Sequence, residues 1–287
     1  MVNDINKKKI IMSEKISLHL GELQKTLLIP LWGRAQEYKS DHPFLKDKFA
    51  YEIVEKLNFD FDSIAKHHPR QTRLTSILRA YHIDTILRKI IDKYSDLTVI
   101  NIGAGLDTTF QRVDNDKIFW YDLDLPDTIA LRKKLIPESE RNKYIPKSFL
   151  DKTWYSDIQV RRSKIVFIAA GVLPYFKLEQ VKGLFLDLMN EFPGSEIIFE
   201  TMGKIMIWFR NLFRGMPGRD NAFSFFVQGG ISSSKIVRKW SDKINIIDDF
   251  SVYTSISINE FIDKKTSLQI KIMNFFKLYQ IIHLKLG

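Results

Sequence analysis

Apolar residues in the first third of the chain recur at three-and-four spacing. LGELQKTLLIPLW, FAYEIVEKLNFDFDSIAK and TSILRAYHIDTILRKIIDKY all follow it, and residues 13–95 read mainly as helices. The rhythm then changes. LTVINIG is a continuous apolar run that stops at Gly103, as a strand buried in a parallel sheet does. KIFWYDLDL (117–125) reads as a second strand ending in carboxylates, and PDTIALRKKLIP as a helix with Pro126 in its first turn. KYIPKSFLD (143–151), SKIVFIAAGVLPY (163–175) and SEIIFETM (195–202) supply three further strands. The helix LEQVKGLFLDLMNEF, stopped by Pro193-Gly194, precedes the last of them.

Strand and helix therefore alternate from about residue 97 to 202, which predicts an α/β fold with a mostly parallel sheet covered on both faces. In such sheets ligands sit outside the carboxyl ends of the strands, near the topological switch point. Beyond residue 202 the pattern breaks. GKIMIWFRNLFRGMPGRDNAFSFFVQGG is aromatic, basic and punctuated by glycine. SSSKIVRKWSDK reads as helical, and INIIDDFSVYTSI and NFFKLYQIIHLKLG as an antiparallel pair of strands at the sheet edge.

Composition removes some chemistry. The 287 residues include no cysteine, which excludes disulfides, thiolate metal sites and cysteine nucleophiles. The formal net charge of +10 admits nucleic acid, an anionic surface or an acidic small molecule as partner without choosing among them, because Lys and Arg are spread along the chain. No uncharged apolar run approaches the ~20 residues of a membrane span, and the polar start MVNDINKKKIIMSEK is unlike a secretory leader. The expected location is the cytoplasm.

The candidate chemistry lies at the first glycine turn. Gly103-Ala104-Gly105 follows a strand, so Gly103 permits a tight turn and Gly105 a close backbone approach. A dinucleotide fingerprint needs a third glycine where this chain has Thr108, and Asp107 adds negative charge where a pyrophosphate would lie on bare amides. The turn suits an uncharged or cationic group better than a diphosphate. Asp124 ends the next strand about 20 residues on, the spacing at which a carboxylate grips a ribose diol. Asp122 shares its face and reads as a buried, structurally bonded carboxylate. His82 reads as a helix-face histidine, and His67-His68 lack the further ligands of a metal site.

INIGAGLDTTFQR, WYDLDLPDTIALRKKLIPES and FIAAGVLPYF, in this order, resemble the leucine carboxyl methyltransferase family, which includes bacterial O-methyltransferases of polyketide pathways. LIPLWGRAQEYKSDHPFLKDKFAYEIVEKLNFDFD is similar to the N-terminal region of the bacterial members, so the likeness runs from about residue 28 to 202. It implies a Rossmann-like class I methyltransferase sheet binding S-adenosylmethionine, a cofactor with a sulfonium, a ribose diol and no phosphate. One domain (1–287) is then expected, with a helical N-terminal cap (1–95), a cofactor-binding core (97–202), a lid insertion (203–232) and a C-terminal helix with edge strands (233–287). By the resemblance, Gly103, Ala104 and Gly105 pass beneath the methionine part, and Asp124, with Leu125 beside it, takes the ribose. Ser148 and Phe149 border the adenine. Arg79 meets the methionine carboxylate, and Arg34 brings a second basic side chain near the site. The alternative for Arg79 is a solvated helix face or an ion pair with Asp84. Ala170 stands where many members have a glutamate, and Tyr175 holds an aromatic position near the transferred methyl, where it would orient the acceptor.

The implied activity is O-methylation of a small or polyketide-like molecule, with a carboxylate favoured because it needs no base. The segment from Lys204 to Phe226 reads as a lid over an apolar acceptor, with Arg210 and Arg214 suited to an acidic group. A helix simply packed on the domain and, after it, a membrane-surface helix are the rival readings of that segment. The other functions weighed are methylation of a protein's C-terminal carboxylate, a cofactor-binding protein inactivated at Ala170, and nucleic-acid methylation. The last is disfavoured by GVLPY, which lacks the Asn/Asp-Pro-Pro-Tyr polar residue after the fourth strand.

Overall fold

The five strands read between residues 97 and 202 form one sheet, as their alternation with helices predicts. The computed structural model describes residues 15–17, 22–63, 70–212, 231, 233–254 and 264–287. In chain order its elements are β1 (Ile16–Ser17), α1 (Glu22–Tyr38), α2 (Lys48–Lys56), β2 (Leu57–Asn58), α3 (Arg70–Lys93) and β3 (Leu97–Ile102). There follow α4 (Thr109–Val113), β4 (Phe119–Asp124), α5 (Pro126–Leu135), β5 (Asn142–Pro146), β6 (Lys164–Ala169) and α6 (Leu178–Glu191). The chain continues with β7 (Ser195–Met202), α7 (Lys204–Leu212), α8 (Ser234–Arg238), β8 (Ile244–Ser251), α9 (Lys264–Phe275) and β9 (Tyr279–Leu286).

The main sheet has seven strands in the order β5-β4-β3-β6-β7-β9-β8. The first five are parallel, and β9 runs antiparallel to both β7 and β8, giving the expected edge pair. From β3 the chain moves outward to β4 and β5, then returns to place β6 on the other side of β3. The switch point thus lies between the carboxyl ends of β3 and β6, at Gly103 and Ala170.

Alternation along each strand builds two cores. Ile100 and Ile102 pack with Leu123, Phe167, Phe185 and Phe199 on one face. Leu97 and Val99 pack with Trp120, Val166, Leu87 and Ile91 on the other. A third cluster joins Leu28, Leu31 and Trp32 of α1 and Ile53 of α2 to Leu106 of the glycine turn and Leu131 of α5. This cluster seats the N-terminal helices over the carboxyl ends of the strands.

The structure corrects three local expectations. The helix read across 49–66 is interrupted: it ends at Lys56, residues 57–58 pair in parallel with 16–17, and helical conformation resumes at 61–63. Leu57 is buried and Asn58 exposed, the alternation of a short extended segment. The strand read from Asn274 begins at Tyr279, because Lys264–Phe275 forms a helix and Lys277 turns the chain at φ 47°. The SSSKIVRKWSDK helix is a single short turn, Ser234–Arg238. The segment read as a lid enters the structure as α7, while residues 213–230, with Arg214, and His67-His68 lie outside the described residues. No helix among the described residues is long and apolar enough to cross a membrane.

Candidate functional site

A cavity of about 500 Å³ opens at the switch point, roofed by α1 and α3. All eleven side chains and glycines expected at the site line it: Arg34, Arg79, Gly103, Ala104, Gly105, Asp124, Leu125, Ser148, Phe149, Ala170 and Tyr175.

The glycine turn is left-handed at both glycines, with φ 68° at Gly103 and 48° at Gly105. A Cβ on Gly103 would lie 2.7 Å from Val172 Cγ2, so only glycine lets β3 turn beside the end of β6. The Gly103 amide donates to the Leu123 carbonyl at 2.8 Å, which ties the turn to β4. The Gly105 amide donates to Asp124 Oδ2 at 2.7 Å, and the Leu125 amide to Oδ1 at 2.7 Å. Asp124 is therefore aimed by the turn itself, with one lone pair on each oxygen committed. Burial raises its carboxyl above the ordinary range against the pull of those two amides.

The companion carboxylate is spent on structure, as its sequence context suggests. Asp122 is fully buried and accepts from Arg132 Nη2 at 2.8 Å, Asn142 at 2.9 Å, Asn101 at 3.1 Å and Trp120 Nε1 at 2.9 Å. Arg132 then donates Nη1 to the carbonyls of Gly105 and Asp107, at 3.1 and 2.7 Å. One arginine thus clamps the turn from below to the neighbouring strand. Asp107 lines the cavity; burial pushes its carboxyl up, but Arg112 and Arg34 outweigh this and hold it down as an anion.

Arg34 reaches the cavity wall already engaged. Its Nε donates to Asp47 Oδ2 at 2.8 Å and its Nη2 to the Leu106 carbonyl at 3.0 Å. Asp47 also accepts from Arg112 Nη1 at 2.8 Å and Thr108 Oγ1 at 2.6 Å, and caps α2 through the Ala50 amide at 2.9 Å. Arg112 is held on its other side by Asp84, Nε to Oδ2 at 2.7 Å. Asp84 is therefore not the partner of Arg79, as the alternative reading had it.

Arg79 instead crosses to β7, where Nη1 meets Glu200 Oε2 at 2.5 Å. Burial pulls this guanidinium's pKa down, but Glu200's charge and hydrogen bond prevail and raise it. The guanidinium presses on Gly171, where φ is 75° and a Cβ would lie 2.7 Å from Nη1. At the opposite wall Phe149 meets Phe176 edge-on, ring centroids 4.4 Å apart, next to Ser148. His82 is a core histidine, bonded to the Val252 carbonyl at 2.9 Å, and burial lowers its pKa from the ordinary value.

Sequence reasoning missed Glu200, Arg132 and Asp47. Glu200 carried a signal: it is a charge near the carboxyl end of an otherwise buried strand, where charges are rare unless paired. Arg132 carried none, and Asp47 only that of a helix cap for Ala50, since the charged partners of both lie 10 to 65 residues away.

An open, mostly parallel sheet with a left-handed glycine turn at its switch point and a carboxylate ending the next strand is a Rossmann-like class I methyltransferase architecture. The sequence matches the leucine carboxyl methyltransferase family over residues 28–189, more than half of the chain, and the chain belongs to that family. It is 26% identical over 187 residues to the tetracenomycin polyketide synthesis O-methyltransferase TcmP of Streptomyces glaucescens, covering 65% of this chain and 68% of that one. It is 25% identical over 229 residues to the S-adenosyl-L-methionine-dependent methyltransferase dpfgK of Gibberella zeae, covering 74% and 77%. Among solved structures, a DUF574 family protein from Streptomyces avermitilis superposes with a TM-score of 0.55 at 10% identity, over 91% of this chain and 97% of that one. The plantazolicin methyltransferase BpumL, in complex with a triazolic desmethylPZN analog and SAH, does so with 0.50 at 13% identity, over 93% and 100%. These structural likenesses concern the fold.

Proposed function

We propose that this protein transfers a methyl group from S-adenosylmethionine to an oxygen of a small, apolar, polyketide-like acceptor, by preference a carboxylate. The observation that carries the reading is the convergence of the glycine turn, Asp124, the Phe149–Phe176 wall and Arg79 on one cavity of about 500 Å³. Each group matches one part of that cofactor. Asp124 has a free lone pair on each oxygen for a ribose diol. The aromatic wall beside Ser148 suits a purine. The anion at Asp107 suits a sulfonium rather than a phosphate, and Arg79 suits an amino-acid carboxylate. When bound, the cofactor supplies an electrophilic methyl on sulfur.

What remains for the chain's own residues is alignment and exclusion of water. α1 and α3 cover the cavity, and Tyr175, on its wall near Arg79, would orient the acceptor. A phenol would need a base. The cavity carboxylates already carry donors: Asp107 accepts from Asn101, Asp124 from two amides and Glu200 from Arg79. An acceptor ionised at neutral pH avoids that need. The kinship with a polyketide O-methyltransferase supports the choice of acceptor class.

The test is mass spectrometry of products from a panel of aromatic and aliphatic carboxylic acids and their phenolic analogues, with S-adenosylmethionine. Methyl esters are expected. Methyl ethers of the phenols without esters would keep the methyltransferase and refute the carboxylate acceptor.

A further inference from the structure

Ala170 leaves the end of β6 without a charge, yet the cavity there is not uncharged. β6 and β7 pair in parallel with Ala169 opposite Phe199, so the next step of the register sets Ala170 beside Glu200. Neighbouring strands lie about 5 Å apart, and a glutamate side chain spans that distance. Glu200 is buried, lines the cavity, and bonds Arg79 over Gly171. Among the described residues this is the one side-chain hydrogen bond Arg79 makes, and its side chain keeps 17% of its surface exposed. A partly buried arginine paired with a buried glutamate on a cavity wall presents a cation and an anion side by side. That is the complement of an α-amino acid zwitterion, whose carboxylate and ammonium lie at the same separation as the two halves of such a pair.

We infer that Glu200 is the anionic contact for the α-ammonium of the cofactor's amino-acid end, working beside Arg79 on the carboxylate, so that the charge absent at Ala170 is supplied one strand over. The inference rests on the cofactor reading above. It makes Glu200 a binding residue in its own right and Arg79–Glu200 the unliganded form of a zwitterion receptor. It also accounts for a charge that would otherwise only cost desolvation inside β7.

Calorimetric titration separates this role from a structural one. The ligands are S-adenosylhomocysteine and S-adenosyl-4-thiobutyrate, which lacks only the ammonium. The proteins are the wild type, Glu200→Gln, and the double variant Ala170→Glu with Glu200→Gln. Loss of one charge-assisted contact should weaken S-adenosylhomocysteine binding by about tenfold or more in Glu200→Gln. The deaminated ligand should bind Glu200→Gln and wild type alike, and the double variant should recover most of the lost affinity for S-adenosylhomocysteine. Equal weakening of both ligands, or none of either, would overturn the inference while leaving the cofactor reading intact. Failure of the wild type to bind S-adenosylhomocysteine at all would overturn both.

Discussion

Two buried ion clusters flank the glycine turn, and they are built to opposite ends. Around Asp47 the network is closed. Arg34 and Arg112, with Thr108 and the Ala50 amide, converge on one fully buried carboxylate, and Asp84 takes the far side of Arg112. Around Arg79 it is open: one bond to Glu200, against a cavity wall, over a glycine that leaves room for the guanidinium. Both clusters use arginine and carboxylate, and both are out of bulk water. The number of donors already committed decides which can release a charge to a ligand. The closed cluster fixes the helical cap and the α2 terminus onto the turn that Arg34 and Thr108 belong to or touch. The open one keeps its ligand-facing capacity. By this criterion Arg34, expected at the site and found on its wall, belongs to the closed cluster, with its bonds given to Asp47 and the Leu106 carbonyl.

The comparison breaks most visibly at its closed end. Asp47→Ala leaves two buried guanidinium groups without their shared anion and should cost about 3–5 kcal/mol of unfolding free energy, read from urea denaturation. A loss below about 1 kcal/mol would mean the cluster is not the fastening of the cap. At the open end, Gly171→Ala places a methyl 2.7 Å from Arg79 Nη1 at a φ of 75°. The expected cost is about 1–3 kcal/mol of strain, together with weaker binding of S-adenosylhomocysteine as the guanidinium is pushed aside. Unchanged binding would show that Arg79 does not touch that ligand.

A third cluster sharpens the contrast through pH. On the far part of β7, Glu196 accepts from His283 Nε2 at 2.8 Å and pairs with Lys164 at 2.7 Å. Burial raises its carboxyl, but those two partners prevail and hold it down at about 2 from an ordinary 4.5. A depressed carboxylate contributes stability that is full above its unfolded value and is lost as pH falls toward the folded one. Stability should therefore decline from about pH 4.5 downward, and Glu196→Gln should flatten that decline while lowering the plateau. Parallel wild-type and variant curves between pH 6 and 3 would contradict the assignment.

Much of this was legible beforehand because it depends on local pattern. The strands at 97–102, 119–124, 164–169 and 195–202 are short, mainly apolar segments, and glycine and aspartate at the ends of the first two mark the turn and the carboxylate. That is why every expected site residue fell on one cavity. What was not legible was who pairs with whom. Arg79 and Glu200 are 121 residues apart, and Arg112 and Asp47 are 65 apart. Asp84, five residues along the same helix as Arg79, is the nearer partner in sequence, yet it faces Arg112. Helix periodicity sets which residues share a face, and tertiary packing decides which charges meet across faces. Glu200 was overlooked for the same reason, since its meaning appears only when β7 is laid beside Ala170.

The most direct test is calorimetric titration of S-adenosylhomocysteine into the wild type and into Asp124→Ala, with NADH as the control ligand. Micromolar binding of S-adenosylhomocysteine alone, weakened about tenfold or more in the variant, is the predicted result. Absence of binding in the wild type, or the same affinity in both proteins, would contradict a cofactor site built on the glycine turn and the carboxylate it aims.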